Sequence, residues 1–320
     1  MKKTAKAWLV AAASLVVIGC VLFAVVMSTA GRDRSKLSTV IYETNTYEIT
    51  EAFSDLSLTT DTADIVFAPS GDGKCRVECY EEEHAKHSVS VENNTLTVSI
   101  NDQRSWDEYI GFTFDSPKIT VYLPDTEYGT LAIQESTGNV EIPEEFSFES
   151  VDISASTGSI DLGASARDAV RIGTSTGDIQ VENISAGSLE LSVSTGEVTV
   201  TGVKCSGDIA VSVSTGKAQL SDVSCESVIS TGTTGNIYLD NVIAADKLSI
   251  TRSTGNVSFD GSDAAEIIVR TDTGDITGSL LTDKVFIAAS DTGSVEVPRT
   301  VTGGRCEIDT DTGNIRIEID

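Results

Sequence analysis

The chain has 320 residues, of which 40% are hydrophobic and 6% aromatic. Its 49 acidic residues outnumber its 22 basic residues, which gives a formal net charge of −27 at pH 7. This balance excludes nucleic acid as a partner, because phosphate binding requires clustered Lys and Arg, and it favours a self-repelling surface that attracts cations.

The N-terminus combines a basic tip with a long apolar run. Three lysines lie within the first six residues, and Ala7–Met27 follows as 21 residues without a charge. About 20 apolar residues suffice to cross a bilayer as a helix, and the basic tip favours an N-terminus inside the cell. We therefore predict a cytoplasmic tip and transmembrane helix within residues 1–30 and a tether over 31–39. The protein would be a single-pass cell-membrane protein, partnered with the membrane through this helix, with an extracellular C-terminal domain.

Two alternatives stay open at this end. Val17-Ile-Gly-Cys20 resembles a lipoprotein signal, after which Cys20 would be exposed by cleavage and lipidated. The run stays apolar for seven residues after Cys20, whereas a lipoprotein turns polar soon after its cysteine, so a retained helix is favoured. Removal of the segment as a plain signal peptide is the third interpretation. All three place most of the chain outside the cytoplasm.

Residues 40–128 are predicted to form an irregular β region that caps the membrane-proximal end of the repeats. Phe53–Phe67 follows the template of the later repeats with Ala63 in place of glycine, which predicts a degenerate first coil. His84 and His87, next to three glutamates, are interpreted as a polar turn. Four further strands are predicted from alternating apolar and polar residues: 74–80, 87–91, 95–100 and 118–123.

Residues 129–320 contain ten Thr-Gly dipeptides at steps of 19 or 20 residues, which marks a repeat architecture. With each glycine numbered zero, positions −7, −5, +2 and +4 are apolar in nearly every unit. This alternation predicts two short strands, and the change of parity between them requires a bend at the glycine. The glycines are Gly138, Gly158, Gly177, Gly196, Gly216, Gly235, Gly255, Gly274, Gly293 and Gly313.

A unit this short cannot bury its own apolar face, and stacking on the next unit solves the problem. We therefore predict an all-β chain: a single-chain β-solenoid, a right-handed β-helix of about ten coils, with strands of neighbouring coils about 4.8 Å apart. Cys306 occupies the inward −7 position of its unit. Asn314–Asp320 ends the chain in a strand, so the C-terminal coil is expected to expose a sheet edge through which two copies could self-associate.

The opening Phe53-Ser-x-Leu-x-Leu pattern, the N-terminal span and the successive Ser-Thr-Gly-x-Val/Ile coils resemble the bacterial DUF4097 family of adhesin-like proteins. The resemblance covers about residues 40–320. It implies an envelope protein with a β-solenoid ectodomain and brings no catalytic residues. Some members of the family are linked to the regulation of envelope stress, which is the alternative function that the resemblance implies.

The last three corners carry Asp in place of the earlier Ser or Thr. Asp-Thr-Gly is also the triplet of aspartic proteases, but those enzymes need two carboxylates facing each other across a cleft, whereas stacked coils place them in a ladder. Carboxylate oxygens are suitable Ca²⁺ ligands, so the ladder is a candidate cation site, with three solvated carboxylates as the favoured alternative. The residues are Asp272, Asp291 and Asp311.

Two cysteine pairs are close in sequence or in repeat position. Cys205 and Cys225 both lie at +9, one coil apart, so they should be neighbours that could form a disulfide; the alternative is two stacked thiols. Cys75 and Cys79 lie on one strand about 13 Å apart, which is too far for a bridge.

The predicted function is a binding or scaffold module, adhesin-like, at the bacterial cell envelope, with an envelope protein or glycan as partner. The runner-up is an accessory regulator of an envelope-stress system. A carbohydrate-active β-helix enzyme comes third, because every coil has 19 or 20 residues and leaves no room for the inserts that build a catalytic groove. We therefore expect no enzyme activity and no cofactor apart from the Ca²⁺ considered above.

Overall fold

The computed structural model describes residues 3–30, 40–106 and 115–320. The predicted tether at 31–39 lies outside these residues. The apolar N-terminal run forms helix α1, Lys3–Ala30. Within the described part of the chain, no helix reaches the length and apolarity that a membrane crossing requires, so the predicted transmembrane helix is unsupported.

The rest of the described chain is built from strands that join into a single sheet system. The cap contains β1 (Tyr42–Ile49), β2 (Asp55–Thr60), β3 (Asp64–Pro69), β4 (Cys75–Glu82), β5 (Ala85–Glu92), β6 (Thr95–Asp102) and β7 (Lys118–Leu123). The first coils contain β8 (Glu127–Thr137), β9 (Val140–Ile142), β10 (Ser147–Thr157), β11 (Ile160–Leu162), β12 (Ser165–Thr176), β13 (Ile179–Glu182), β14 (Ser185–Thr195), β15 (Val198–Thr201), β16 (Lys204–Cys205) and β17 (Ile209–Thr215). The later coils contain β18 (Ala218–Thr234), β19 (Ile237–Thr254), β20 (Val257–Thr273), β21 (Ile276–Leu280), β22 (Lys284–Thr292), β23 (Val295–Glu296), β24 (Gly304–Thr312) and β25 (Ile315–Ile319).

The cap closes the N-terminal end of the stack, which is called the proximal end below; the opposite end is the distal end. The degenerate coil is present: β2 pairs in parallel with β6 on one side and β8 on the other, and β3 likewise pairs with β7 and β9. Antiparallel pairs β1–β4, β4–β7 and β5–β6 complete the cap. Both edges of the first coil are therefore occupied by strands of the same chain.

The predicted β-solenoid of about ten coils is confirmed. Parallel pairing joins each coil to the next in the same register, as in the pairs Thr157–Thr176 and Thr176–Thr195. Two features require glycine at the corner: the backbone conformation there and the close approach of the neighbouring coil. Gly216 has φ of 141°, a conformation that favours glycine, and a Cβ placed there would lie 1.7 Å from the carbonyl oxygen of Gly196.

Many coils bend a second time six residues after the corner glycine, at a position for which the repeat pattern predicted no bend. Asn183, Asp222 and Asn241 adopt φ of 57°, 54° and 52° at this position. Asn and Asp are the non-glycine residues that best tolerate the left-handed conformation. Glycine takes the same position at Gly202 and Gly261, with φ of 66° and 55°.

The core is a column of side chains that runs through the stack. The predicted inward positions are confirmed: Leu131, Val170 and Leu248 at −7 are fully buried, and so is Cys306. The structure adds position −3 as a further inward column, and several of its members are polar.

The last two coils are stacked in the reverse of their chain order. The predicted exposed C-terminal edge is wrong, because β24 pairs with β20 on one side and β22 on the other. Strand β25 likewise lies between β21 and β23. After β21 the chain skips one place in the stack, forms the outermost coil with β22 and β23, and returns to fill the gap.

Candidate functional site

The corners of the solenoid form a continuous ladder of threonines on the outside of the molecule. Every Thr that precedes a corner glycine is exposed, and each lies beside the equivalent Thr of the next coil in the strand register. Successive rungs are about 4.8 Å apart. In spatial order the rungs are Thr137, Thr157, Thr176, Thr195, Thr215, Thr234, Thr254, Thr273, Thr312 and Thr292.

The three Asp residues of the predicted cation ladder lie at the distal end of these corners. Asp272, Asp291 and Asp311 are all exposed. Because the last two coils exchange places, Asp311 is the middle carboxylate and Asp291 the outermost. The three-ligand cluster that the described residues do bring together lies elsewhere, at Cys79, Glu81 and His87. Cation binding by the Asp ladder stays a prediction.

In four of the ten coils, a hydroxyl group at position −3 forms a hydrogen bond on the inner side of the corner. The hydroxyls of Thr174 and Thr271 donate to the carbonyl oxygens of Gly158 and Gly255, at 3.5 and 3.4 Å. Each acceptor is the corner glycine of the preceding coil. The contact satisfies a carbonyl that faces the core at the bend, where an unpaired polar atom would be costly.

Two charged residue types occupy the same inward column. Glu135 is buried, and neither of its carboxylate oxygens has a hydrogen-bond partner. Burial, together with the nearby charge of Asp64, raises the pKa of Glu135 to about 8. The protonated carboxyl lies beside the Ala63 carbonyl, since both approach the same point above Gly138, which matches the arrangement of hydroxyl and carbonyl at Thr174 and Thr271.

Arg252 is the second charged residue of this column and is only 1% exposed. Its guanidinium donates to the carbonyl of Thr231 at 3.0 Å and to the hydroxyl of Ser230 at 2.9 Å. Burial lowers the pKa of Arg252. The preceding coil makes room for it with Gly232, where a Cβ would lie 1.6 Å from Nη1 of Arg252.

The most concentrated group of reactive side chains lies inside the cap. Nδ1 of His87 lies 2.7 Å from Oε2 of Glu81, and Nε2 of the same ring lies 2.9 Å from Oγ1 of Thr60. Backbone N–H of His87 also donates to Glu81 at 2.6 Å, and Asn45 donates to the other oxygen of Glu81 at 2.8 Å. His87, Glu81 and Thr60 are all buried. The interpretation of His87 as part of a polar turn is therefore wrong.

This cluster has the donor atoms of a metal site as well as those of a hydroxyl–imidazole–carboxylate relay. Sγ of Cys79, a carboxylate oxygen of Glu81 and a ring nitrogen of His87 lie within 4.8 Å of one another, and thiolate, imidazole and carboxylate are ligands of Zn²⁺. Burial, and then the charge of Glu81, raises the pKa of the Cys79 thiol to about 12. The Cys79 thiol therefore keeps its proton, and the hydrogen bonds of Glu81 and His87 join β1, β2, β4 and β5.

The predicted disulfide between Cys205 and Cys225 is not formed, and both cysteines are free and buried. The alternative of stacked thiols is the one found. Sγ of Cys205 is turned toward the carbonyls of Gly187 and Asp208, at 3.3 and 3.6 Å. Burial, with the neighbouring Cys205, raises the pKa of Cys225 to about 12. Cys20, the predicted lipidation site, is free and exposed on α1.

A model of the Toastrack DUF4097 family matches the chain over residues 53–211 and 204–320. No curated protein matches the sequence. A structure of a proposed adhesin from Parabacteroides merdae shares 13% identity, covers 87% of this chain and 96% of its own, and has a TM-score of 0.52. A proposed adhesin from Bacteroides fragilis shares 15% identity over 87% and 97% of the two chains, with a TM-score of 0.43. At these identities the Parabacteroides merdae structure shows a shared fold.

Proposed function

Because the chain belongs to the Toastrack DUF4097 family, we propose that it is an adhesin-like binding module held at a bacterial cell envelope. It acts by contact and not by turnover, and the threonine ladder is the surface that makes the contact. The observation that carries this proposal is the ladder itself: ten exposed threonines in one register, repeated at the coil spacing.

The threonine ladder repeats at a constant spacing along a line, so a polymer with a regular repeat can contact many threonines in the same way. Each threonine presents a hydroxyl and a methyl group, which together can hydrogen-bond to and pack against a polymer of sugars. The first seven corners carry Ser or Thr beside the ladder and no carboxylate within the Ser-Thr-Gly or Thr-Thr-Gly triplet, so these triplets are uncharged on a chain of net charge −27. We assign an extended, uncharged glycan as the partner of this stretch.

The N-terminal segment provides the attachment in this proposal. Helix α1 exposes Trp8, Leu15 and Phe23, and apolar side chains of this size are covered by lipid or protein in a working molecule. Attachment by lipid on Cys20 is the alternative. Membrane fractionation of the full chain and of a Cys20→Ser variant tests both: loss of the variant from the membrane assigns a lipid anchor, and loss of both proteins from the membrane contradicts attachment.

The binding surface is tested on cells that display the full chain. Replacing Thr195, Thr215 and Thr234 by Val removes three central hydroxyls and keeps β-branched side chains at the corner. The matched control replaces Ser192, Ser212 and Thr231, which are exposed on the same three coils three residues earlier. We expect retention on a polysaccharide-coated surface to fall at least about fivefold for the ladder variant and less than twofold for the control. Equal retention by both variants would contradict the proposal.

A further inference from the structure

The distal end of the solenoid is open. Within the described residues, β22 pairs with β24 on one side and β23 pairs with β25 on one side, and the other edge of both strands has no partner strand. The inward side chains of this coil are also incompletely covered: Val295 is 40% exposed, whereas its equivalent Ile315 in the next coil is fully buried. Phe286 and Val297 are only partly buried against the core.

The proximal end offers no matching edge. Both sides of β2 and of β3 are occupied by strands of the cap and of the next coil. Stacking the distal coil of one copy on the first coil of another is therefore blocked, and the edge strand of the cap within the described residues is β1, which is antiparallel to its neighbour β4 and is not part of a coil. A contact between the distal coils of two copies is symmetric, and a symmetric contact closes at two copies.

Charge also favours a second copy at this end. Residues 281–303, which contain the outermost coil, have three acidic and two basic residues, while the whole chain has a net charge of −27. Self-repulsion is therefore weaker here than over most of the molecule. The exposed side chains of Val285 and Ile287 on β22 add apolar area that a neighbouring strand would cover.

We propose that two copies of this chain pair end to end through β22, with the two strands antiparallel and centred on Ala288. In this register Phe286 faces Ser290 of the other copy. All three positions point inward on their own coil, so the two cores become continuous. Asp291 faces Val285 of the other copy, and the two Asp291 carboxylates are separated along the pair by about 20 Å. A parallel arrangement would instead stack Asp on Asp.

This contact rests on the proposed function, because it gives the adhesin-like module a homophilic partner. If the N-terminus holds each copy to a surface, the distal ends face away from it, and end-to-end pairing links copies on two opposed cells. The threonine ladder lies along the side of the solenoid and stays free in the pair. Pairing of the purified chain can therefore be measured without any glycan, and failure of glycan binding leaves that measurement intact.

A cysteine at the symmetry axis tests the register directly. In a Cys20→Ser background, Ala288→Cys places two thiols on facing residues whose Cα atoms would be about 4.5–5.5 Å apart, within disulfide range. The matched control is Ile229→Cys, at an exposed position in the middle of the solenoid. We expect mild oxidation of the full chain in detergent to give a disulfide-linked dimer for Ala288→Cys only. No dimer, or equal dimer from both variants, would overturn the proposal.

A charge on the pairing strand gives an independent measurement. Ile287 and Ile229 occupy the same −6 position of their coils and are 53% and 44% exposed. Ile287→Asp puts a carboxylate on β22, and Ile229→Asp puts one on a coil with neighbours on both sides. We expect the dimer dissociation constant, measured by analytical ultracentrifugation of the full chain, to rise at least about tenfold for Ile287→Asp and less than twofold for Ile229→Asp. A monomeric parent chain at high protein and high salt concentration would overturn the proposal.

Discussion

The hydroxyl of Thr310 donates a 3.1 Å hydrogen bond to the carbonyl oxygen of Gly274, 36 residues earlier in the chain. The equivalent bonds of Thr174 and Thr271 reach back only 16 residues, to Gly158 and Gly255. Ser290 completes the pattern, because its hydroxyl donates to the carbonyl of Gly313 at 2.8 Å. These bonds follow the spatial order of the coils and not the order of the chain, so the final coil is an internal one.

The order of the last two coils predicts that the amides of the C-terminal strands exchange more slowly than those of the coil that precedes them in the chain. Terminal segments generally fray first, but here β24 and β25 have neighbours on both sides and β22 has one. We expect backbone amides of β22 to exchange at least about tenfold faster than those of β24. Exchange measured by mass spectrometry on peptides from the two strands checks this. Faster exchange in β24 and β25 would mean that the last two coils stack in chain order.

Replacement of Gly232, even by alanine, is predicted to destabilise the protein. A Cβ at this position would lie 1.6 Å from Nη1 of Arg252 and 2.4 Å from the carbonyl oxygen of Val213. We expect Gly232→Ala to lower the free energy of unfolding by about 1–3 kcal/mol, the usual cost of overpacking. Gly173→Ala is the control, because the nearest atom to its Cβ is 4.0 Å away. Denaturant unfolding of both variants gives the comparison, and equal stability would contradict the packing of Arg252.

The corner glycines are predicted to tolerate no side chain. At Gly216 a Cβ would lie 1.7 Å from the backbone oxygen of Gly196, and φ is 141°. The contacting atom belongs to the backbone and cannot move aside as the end of a flexible side chain can. We therefore expect Gly216→Ala to destabilise the protein by more than about 2 kcal/mol. Gly71→Ala, at an open turn position, should change the midpoint of thermal unfolding by less than about 2 °C. A small effect at Gly216 would show that the corner can widen.

Glu135 is predicted to make the stability of the protein depend on pH. Its pKa is about 8 in the folded protein, against an ordinary value of 4.5. Between these values the folded state holds a proton that the unfolded state has released. The stabilising contribution is therefore complete below about pH 4.5 and is lost as the pH rises through about 8. Glu135→Gln stays neutral, so we expect it to exceed the parent chain in stability at pH 9 by on the order of 2–3 kcal/mol.

The measurement for Glu135 is denaturant unfolding at pH 6, 7 and 9. Glu141→Gln, an exposed carboxyl on the following strand, serves as the control and should leave the pH profile unchanged. If the free energy of unfolding of Glu135→Gln changes with pH in the same way as that of the parent chain, Glu135 is not the titrating group.

Glu81 is predicted to be essential to the cap. Its carboxylate accepts from the backbone and ring of His87 and from Asn45, and Glu81→Gln would turn an acceptor into a donor facing these donors. We expect a loss of about 2–4 kcal/mol in the free energy of unfolding, because buried polar groups are left unpaired. Glu78→Gln breaks the partly exposed pair with Arg76 and should cost less than about 1 kcal/mol. Similar losses for both would show that the cluster is not structural.

The regular part of the fold follows from local sequence. Thr-Gly spacing and β-branched alternation predicted the coils, the inward columns and the degenerate coil at Ala63. The second bend was also present as a signal, in Asn183, Asp222 and Asn241 at a constant offset from the corner. That offset was missed because Asn, Asp and Gly alternate there and no single residue type repeats.

The order of the last coils could not be derived from the sequence pattern. Every coil presents the same strand edges, so β20 can pair with β22 or β24 equally well by local criteria. The cap cluster was missed for a different reason. His87 and Glu81 are six residues apart across a turn, and the run of three glutamates next to this turn suggested a solvent-exposed segment. Only the divergence of β4 and β5 into different parts of the sheet turns both side chains inward.

The reversed order of the last two coils has a consequence for the time course of folding. As the chain emerges from its N-terminus, each coil up to β21 can dock on the one before it. The coil of β22 and β23 cannot, because its place in the stack is separated from β21 by a gap that only β24 and β25 fill. A chain that stops before Gly304 therefore keeps two unpaired edges facing each other. The 17 residues Gly304–Asp320 therefore join the coil of β22 and β23 to the rest of the stack.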